Sequence, residues 1–183
     1  MLVCLRLAAV LSRLCQVVAM GAGSLLVVLT LVIMYDVIGR NFISTGSYAL
    51  QELQWHLHGA IAVLAFGYAY TRDAHVRIDV VGHKIPPRLK LWLEVAAILC
   101  LVIPFLMVLA WYGYEFAERA FVRGEGSRGG LGLPNRWIIK SAVPVSAILT
   151  SLGALSVALR MIVVLRRPDL LDSPFEKGDL WTR

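Results

Sequence analysis

Four stretches of this chain, residues 16–35, 53–71, 95–114 and 141–159, contain no Asp, Glu, Lys or Arg. Each holds roughly 20 residues, the number an α-helix needs to cross a hydrocarbon layer about 30 Å thick. With 58% apolar residues overall, the chain has too little polar surface to cover a fold in water. The expected fold class is therefore all-α, an integral membrane four-helix bundle. The spans are placed at about 16–38, 50–71, 91–114 and 137–160, in a single membrane domain of residues 1–167 with a short solvated tail, 168–183.

A net charge of +6 can mark a nucleic-acid binder, but the basic residues lie in the connections rather than on one stripe interleaved with aromatics. No nucleic acid is expected. Counted on alternate sides of the four stretches, Lys and Arg divide twelve against six. The richer side carries the N-terminus, the second connection and the C-terminus, so the positive-inside rule places both termini in the cytoplasm. Tyr68, Tyr70, Trp92, Trp111, Tyr112, Tyr114 and Trp137 fall at the ends of the apolar runs, where amphipathic rings settle at headgroup level. Arg6 and Arg13 break the apolar core that a cleaved signal peptide needs, and residues 1–15 read as an amphipathic lead-in lying on the cytoplasmic surface. Cys4, Cys15 and Cys100 form no CxxC pair, and neither disulfide nor zinc chemistry is expected.

The connections carry their own signals. Ser44, Thr45, Gly46 and Ser47 make a turn and N-cap cluster before the second span, and Pro86 with Pro87 stops any helix before the third. The connection before the fourth span holds Gly124, Gly126, Gly129, Gly130 and Gly132 ahead of Pro134, and is expected to be mobile unless a partner orders it. Pro104 and Pro144 lie inside spans, where each removes one backbone donor and sets a fixed bend.

Polar residues at membrane depth are few, which makes them informative. Asp36 and Arg40 are four apart, acid before base, the favourable order for an ion pair on one helical face. Glu52 and His56 share the same spacing at the polar start of the second span, so the carboxylate can orient the imidazole. After that span, Arg72-Asp73-Ala74-His75-Val76-Arg77-Ile78-Asp79 alternates polar with apolar residues, the pattern of an extended segment with one charged face that clamps a neighbouring subunit or lipid headgroups. This inventory is too small to line both a substrate pathway and an ion site, which indicates a supporting role. No catalytic, cofactor or metal site is expected.

Taken in order, Asp36 to Arg40, Glu52-Leu53 with Trp55, the Arg72 to Asp79 turn, and Gly132-Leu133-Pro134 with Trp137 and Pro144 resemble the small membrane subunit (DctQ-like) of tripartite ATP-independent periplasmic (TRAP) transporters, over roughly residues 16–166. The resemblance implies two partners besides membrane lipids: a large permease subunit, which carries substrate and uses a sodium gradient, and a periplasmic binding protein that delivers an organic acid. It implies an inner-membrane scaffold rather than an enzyme, in keeping with the lack of a nucleotide-binding motif. Asp36, Arg40, Glu52, Trp55, His56, Arg72, Asp73, His75, Arg77, Asp79 and Trp137 are then interface or structural residues. Two rival readings are a redox anchor holding haem or quinone through His56 and His58, and a small channel or carrier acting as a homo-oligomer. The only other histidines, His75 and His83, lie in a connection and offer no axial partner in another span.

Overall fold

The computed structural model describes residues 1–43, 46–75, 85–127, 131–171 and 173–175, and every regular element among them is helical. Helix α1 (Leu2–Ile38) runs into a π-turn at Gly39–Ile43; α2 (Tyr48–Leu64) and α3 (Phe66–Thr71) are separated by Ala65; α4 (Pro87–Ala97) passes through a π-turn at Ile98–Val102 into α5 (Ile103–Val122); α6 (Trp137–Arg166) follows. Three of these continuous helices are long and apolar enough to cross a membrane. The fourth apolar stretch is α2 with α3, together about 35 Å at 1.5 Å per residue.

Helix α6 is the axis of the bundle and packs against all the others. Its inward residues are small or compact, among them Ser146, Ala147, Ser151, Gly153, Ala154 and Ser156, which lets neighbouring backbones come close. The closest crossing is with α3: a methyl group added at Gly67 would stand 2.7 Å from the Leu149 carbonyl oxygen, and one at Gly153 would stand 2.5 Å from that of Gly67. On the α5 side, Gly113 faces the ring of Pro144, which α6 carries without interruption. Hydroxyl and thiol groups tie the remaining contacts to backbone, with Ser156 donating to the Ala8 carbonyl at 2.8 Å and Cys15 to that of Leu149 at 3.3 Å.

These contacts correct one expectation. Residues 1–15 are not a separate surface lead-in, because α1 is unbroken from Leu2 and buries Ala8, Ser12 and Cys15 in the bundle. Small side chains every three or four residues continue the packing stripe, and that stripe outweighs the two arginines. The tail also departs from a purely solvated extension, since Phe175 packs beside Tyr70 and Leu91 on the cluster of Val95, Ile98, Val157 and Met161.

Backbone irregularities have local causes. Pro104 cannot donate to the carbonyl four residues back, and the preceding turn relaxes to π spacing. At Ala65 the helix breaks, and the Ser146 hydroxyl of α6 donates to the Val63 carbonyl at 2.5 Å. A hydroxyl from the neighbour thus adds to the Ala65 N–H as a second donor to a carbonyl at the break, the kind of support with which a spanning helix tolerates interruption.

Candidate subunit-interface sites at the two ends of the bundle

The antiparallel order of the long helices gathers the sequence-selected residues at two ends. One end holds the last turn of α1, the first turns of α2, and the connection from α5 to α6. There Asp36 is buried, and its Oδ2 accepts from Arg40 Nε at 3.1 Å, Arg40 Nη2 at 2.9 Å and Gln54 Nε2 at 3.1 Å. The pair expected from spacing is present, and Gln54 extends it across to α2. Asp36 Oδ1 is buried without a hydrogen-bond partner among the described residues.

Glu52 does something the sequence did not reveal. Its Oε2 accepts from the backbone N–H of Leu133, 81 positions away, at 2.8 Å, and the Ser127 hydroxyl donates to the same carboxylate. His56 stands 4.0 Å from the other oxygen. The carboxylate therefore anchors the connection first and touches the imidazole second. The glycine-rich connection is held by this chain itself where it is described: Ser127 N–H donates to Leu133 O, Arg136 N–H to Glu125 O, and Lys140 pairs with Glu125 at 2.5 Å while its ammonium sits over the Phe116 ring. The Lys140 hydrogen bond, reinforced by Arg136 and Arg123, holds the Glu125 carboxyl below the ordinary glutamate range. Gly132 fits closely against Glu52 and Ser127, leaving no room for a side chain.

Between α2 and this connection lies a recess of about 580 Å³, lined by Tyr48, Gln51, Glu52, Trp55 and His56 from one wall and Ser127, Leu131, Gly132 and Arg136 from the other. Trp55 is largely exposed at its rim. Trp137 opens α6 with its ring edge-on to Phe121 at 5.4 Å, beside an apolar groove between α5 and α6. His56 faces the recess while His58 is exposed, so the two histidines do not converge.

At the opposite end, α3 stops in a paired-turn C-cap. Ala74 N–H reaches the Ala69 carbonyl and Asp73 N–H that of Tyr70, with Asp73 in the left-handed region at φ 55°. Aspartate is one of the few non-glycine residues that adopt this conformation readily. The expected extended segment is thus corrected over Arg72, Asp73 and Ala74, which form a helix terminus; its remaining residues 76–79, Arg77 and Asp79 among them, lie outside the described residues. Arg72 covers the Tyr68 ring at 5.1 Å, and exposed His75 stands 6.0 Å from both Phe66 and Tyr70. Helix α5 ends in the same turn, with Glu125 N–H on Ala120 O, Gly124 N–H on Phe121 O, and Gly124 at φ 57°.

Apart from Arg77 and Asp79, the selected residues occupy these two ends. Sequence reasoning assigned no contact to Gln54, Ser127, Arg136 or Ser146; the first three carry a charge or stand within two residues of one, whereas nothing local marks Ser146. No individual curated protein matches the chain. Residues 29–164 match the family described as tripartite ATP-independent periplasmic transporters, DctQ component, a match that takes in Asp36, the Glu52 anchor, the Asp73 turn and most of α6. A helical bundle built of membrane-crossing helices, with a family match over most of its length, identifies the chain as a member of the DctQ-component family, the small membrane subunit of TRAP transporters.

Proposed function

We propose that this subunit acts as a lateral scaffold for a large permease subunit of the inner membrane, which moves an organic acid on a sodium gradient, while the chain itself binds no cofactor and catalyses no reaction. The carrying observation is how polar groups are distributed. Asp36, Arg40, Gln54 and Glu52 are engaged with one another or with the chain's own connection, whereas α1 and α5 leave long apolar flanks outward. A carrier turns polar groups towards a shared cavity; a scaffold spends them on its own ends and offers apolar flanks to lipid or to a partner. Asp36 Oδ1 supports the partner reading, because a buried carboxylate oxygen without a donor is costly until a neighbour supplies one.

With both termini cytoplasmic, as the basic residues favour, the end bearing Glu52 and the α5–α6 connection faces the periplasm and lies where a binding protein docks. The end bearing Asp73 and His75 then meets the permease or headgroups on the cytoplasmic side. Trp55 and Trp137 set the depth of the bundle at the periplasmic interface.

The test is affinity purification of the tagged chain in mild detergent from cells expressing the whole system. Co-purification of a large polytopic subunit is expected, and it should fall when Arg77 and Asp79 are both replaced by alanine. Transport of solute by liposomes containing this chain alone would overturn the scaffold reading.

A further inference from the structure

We propose that the apolar groove between α5 and α6 holds one phospholipid with a primary-amine headgroup, its acyl chain in the groove and its ammonium on Glu118. The inference goes beyond the scaffold role, and of the residues selected from sequence only Trp137 borders the groove. The groove has a volume of about 790 Å³. Buried Ala110 and Ala117 of α5 with Pro144 of α6 form its floor, while Met107, Trp111, Tyr114, Val145 and Ile148, all exposed, stand along its sides. Phe121 edge-on to Trp137 marks its outer end. Large side chains on both rims hold a neighbouring helix off the small floor residues it needs for close approach, whereas a flexible chain lies between them.

The lining changes character with depth. From Trp92 to Tyr114, residues of the kind that settle at the edges of the hydrocarbon, the helix rises roughly 33 Å, which with modest tilt matches a layer about 30 Å thick. Glu118 follows one turn further out, at headgroup level. It is the only charged residue among those lining the groove, it is exposed, and it has no hydrogen bond or ion pair among the described residues. Two cations beside this seam are engaged elsewhere: Arg119 Nε donates to the Glu115 carbonyl at 3.2 Å, and Lys140 pairs with Glu125.

A carboxylate at the polar end of an apolar slot selects a cationic head on an apolar chain. A primary ammonium brings three N–H donors to it and makes charge-assisted hydrogen bonds. An anionic glycerol headgroup has no such cation and is repelled. The indole N–H groups fit the same division, since that of Trp111 goes to Glu115 at 3.0 Å, while that of Trp137 has no partner among the described residues and can donate to a phosphate or ester oxygen.

The experiment uses the full chain, delipidated in mild detergent with no permease present, so its failure leaves the scaffold reading untouched. Dioleoyl phosphatidylethanolamine is added with an equal amount of the phosphatidylglycerol or the phosphatidylcholine, and native mass spectrometry counts the lipid retained. One saturable phosphatidylethanolamine is expected, favoured over phosphatidylglycerol roughly threefold to fivefold, as an exposed charge pair allows. Phosphatidylcholine, whose quaternary ammonium has no N–H to donate, should fall between them. Glu118→Gln should abolish the preference for the amine, and Val145→Phe, which fills the groove from an exposed position, should lower retention of all three lipids. Equal retention of phosphatidylethanolamine and phosphatidylglycerol, a preference that survives Glu118→Gln, or retention unmoved by Val145→Phe would overturn the proposal. So would a photo-crosslinker in place of Val145 that, in the co-purified complex, joins the large subunit rather than lipid, which would assign the groove to a partner helix.

Discussion

Helices α1 and α6 are both long enough and apolar enough to span a membrane, yet they are used in opposite ways. In the most apolar stretch of α6, 56% of residues are buried inside the bundle, against 11% in α1. The difference does not lie in hydrophobicity, since both stretches are strongly apolar; small residues at the crossings of α6 contribute to it. Helix α6 buries Ser, Ala and Gly among its larger inward residues and lets other backbones approach, whereas α1 presents Leu26, Val27, Leu31 and Met34 outward and keeps a narrow stripe through Ala8, Ser12, Cys15, Ala22, Leu29 and Asp36 for contact. In a bilayer a large apolar side chain gains little from leaving lipid, so close packing is decided by what is small and by what can hydrogen-bond.

The strongest way to break this contrast is to widen the α6 crossing. Gly153→Val should destabilise the bundle by about 3 kcal/mol, because its Cβ meets the Gly67 backbone and neither backbone can yield. Thermal unfolding in detergent measures this, and a Tm within a degree of the parent would show that the crossing is looser than described. A smaller effect is expected where α6 begins. Glu52→Ala leaves the Leu133 amide without its acceptor, at a cost of about 1–2 kcal/mol. Hydrogen exchange at residues 131–136 should quicken roughly tenfold, and unchanged protection would remove Glu52 from its anchoring role.

The Glu125–Lys140 pair sharpens the same point through pH. The Glu125 carboxyl titrates below its ordinary value when folded, so the stability it contributes is complete above about pH 4.3 and is lost as pH falls further, through the lowered folded pKa. The acid-side fall in Tm should be shallower in Glu125→Gln, and identical pH profiles would contradict the pairing. Smallest of all, Leu31→Ala on the outward flank of α1 should change stability in detergent by less than about 0.5 kcal/mol. If it lowers co-purification with the large subunit all the same, that flank is a contact surface rather than a lipid-facing one.

Much of this arrangement is legible from residue order. The four apolar runs give the helices, and the Asp36–Arg40 spacing gives a real ion pair, because both follow from local periodicity. What could not be read follows from contacts distant in sequence. Nothing near Glu52 announces that its partner is Leu133, and nothing near Val63 announces Ser146. The alternating Arg72 to Asp79 pattern misled over its first three residues because period-two polarity is also compatible with a helix terminus. The signal that could have corrected it is Asp73 itself, an aspartate directly after an apolar helix, where left-handed backbone is tolerated. The break at Ala65 had no such marker, since neither glycine nor proline stands there.

The element on which the others lean is also the last of the described helices to be synthesised. While the ribosome is still making α6, the earlier helices enter the bilayer without the surface that Ala8, Cys15, Val63 and Gly67 will later meet. Membrane helices insert first and associate afterwards, so the assembly of this bundle waits on α6. A nascent chain arrested before Trp137 would be three inserted spans without their common centre, and its quality control must tolerate that state for as long as translation lasts.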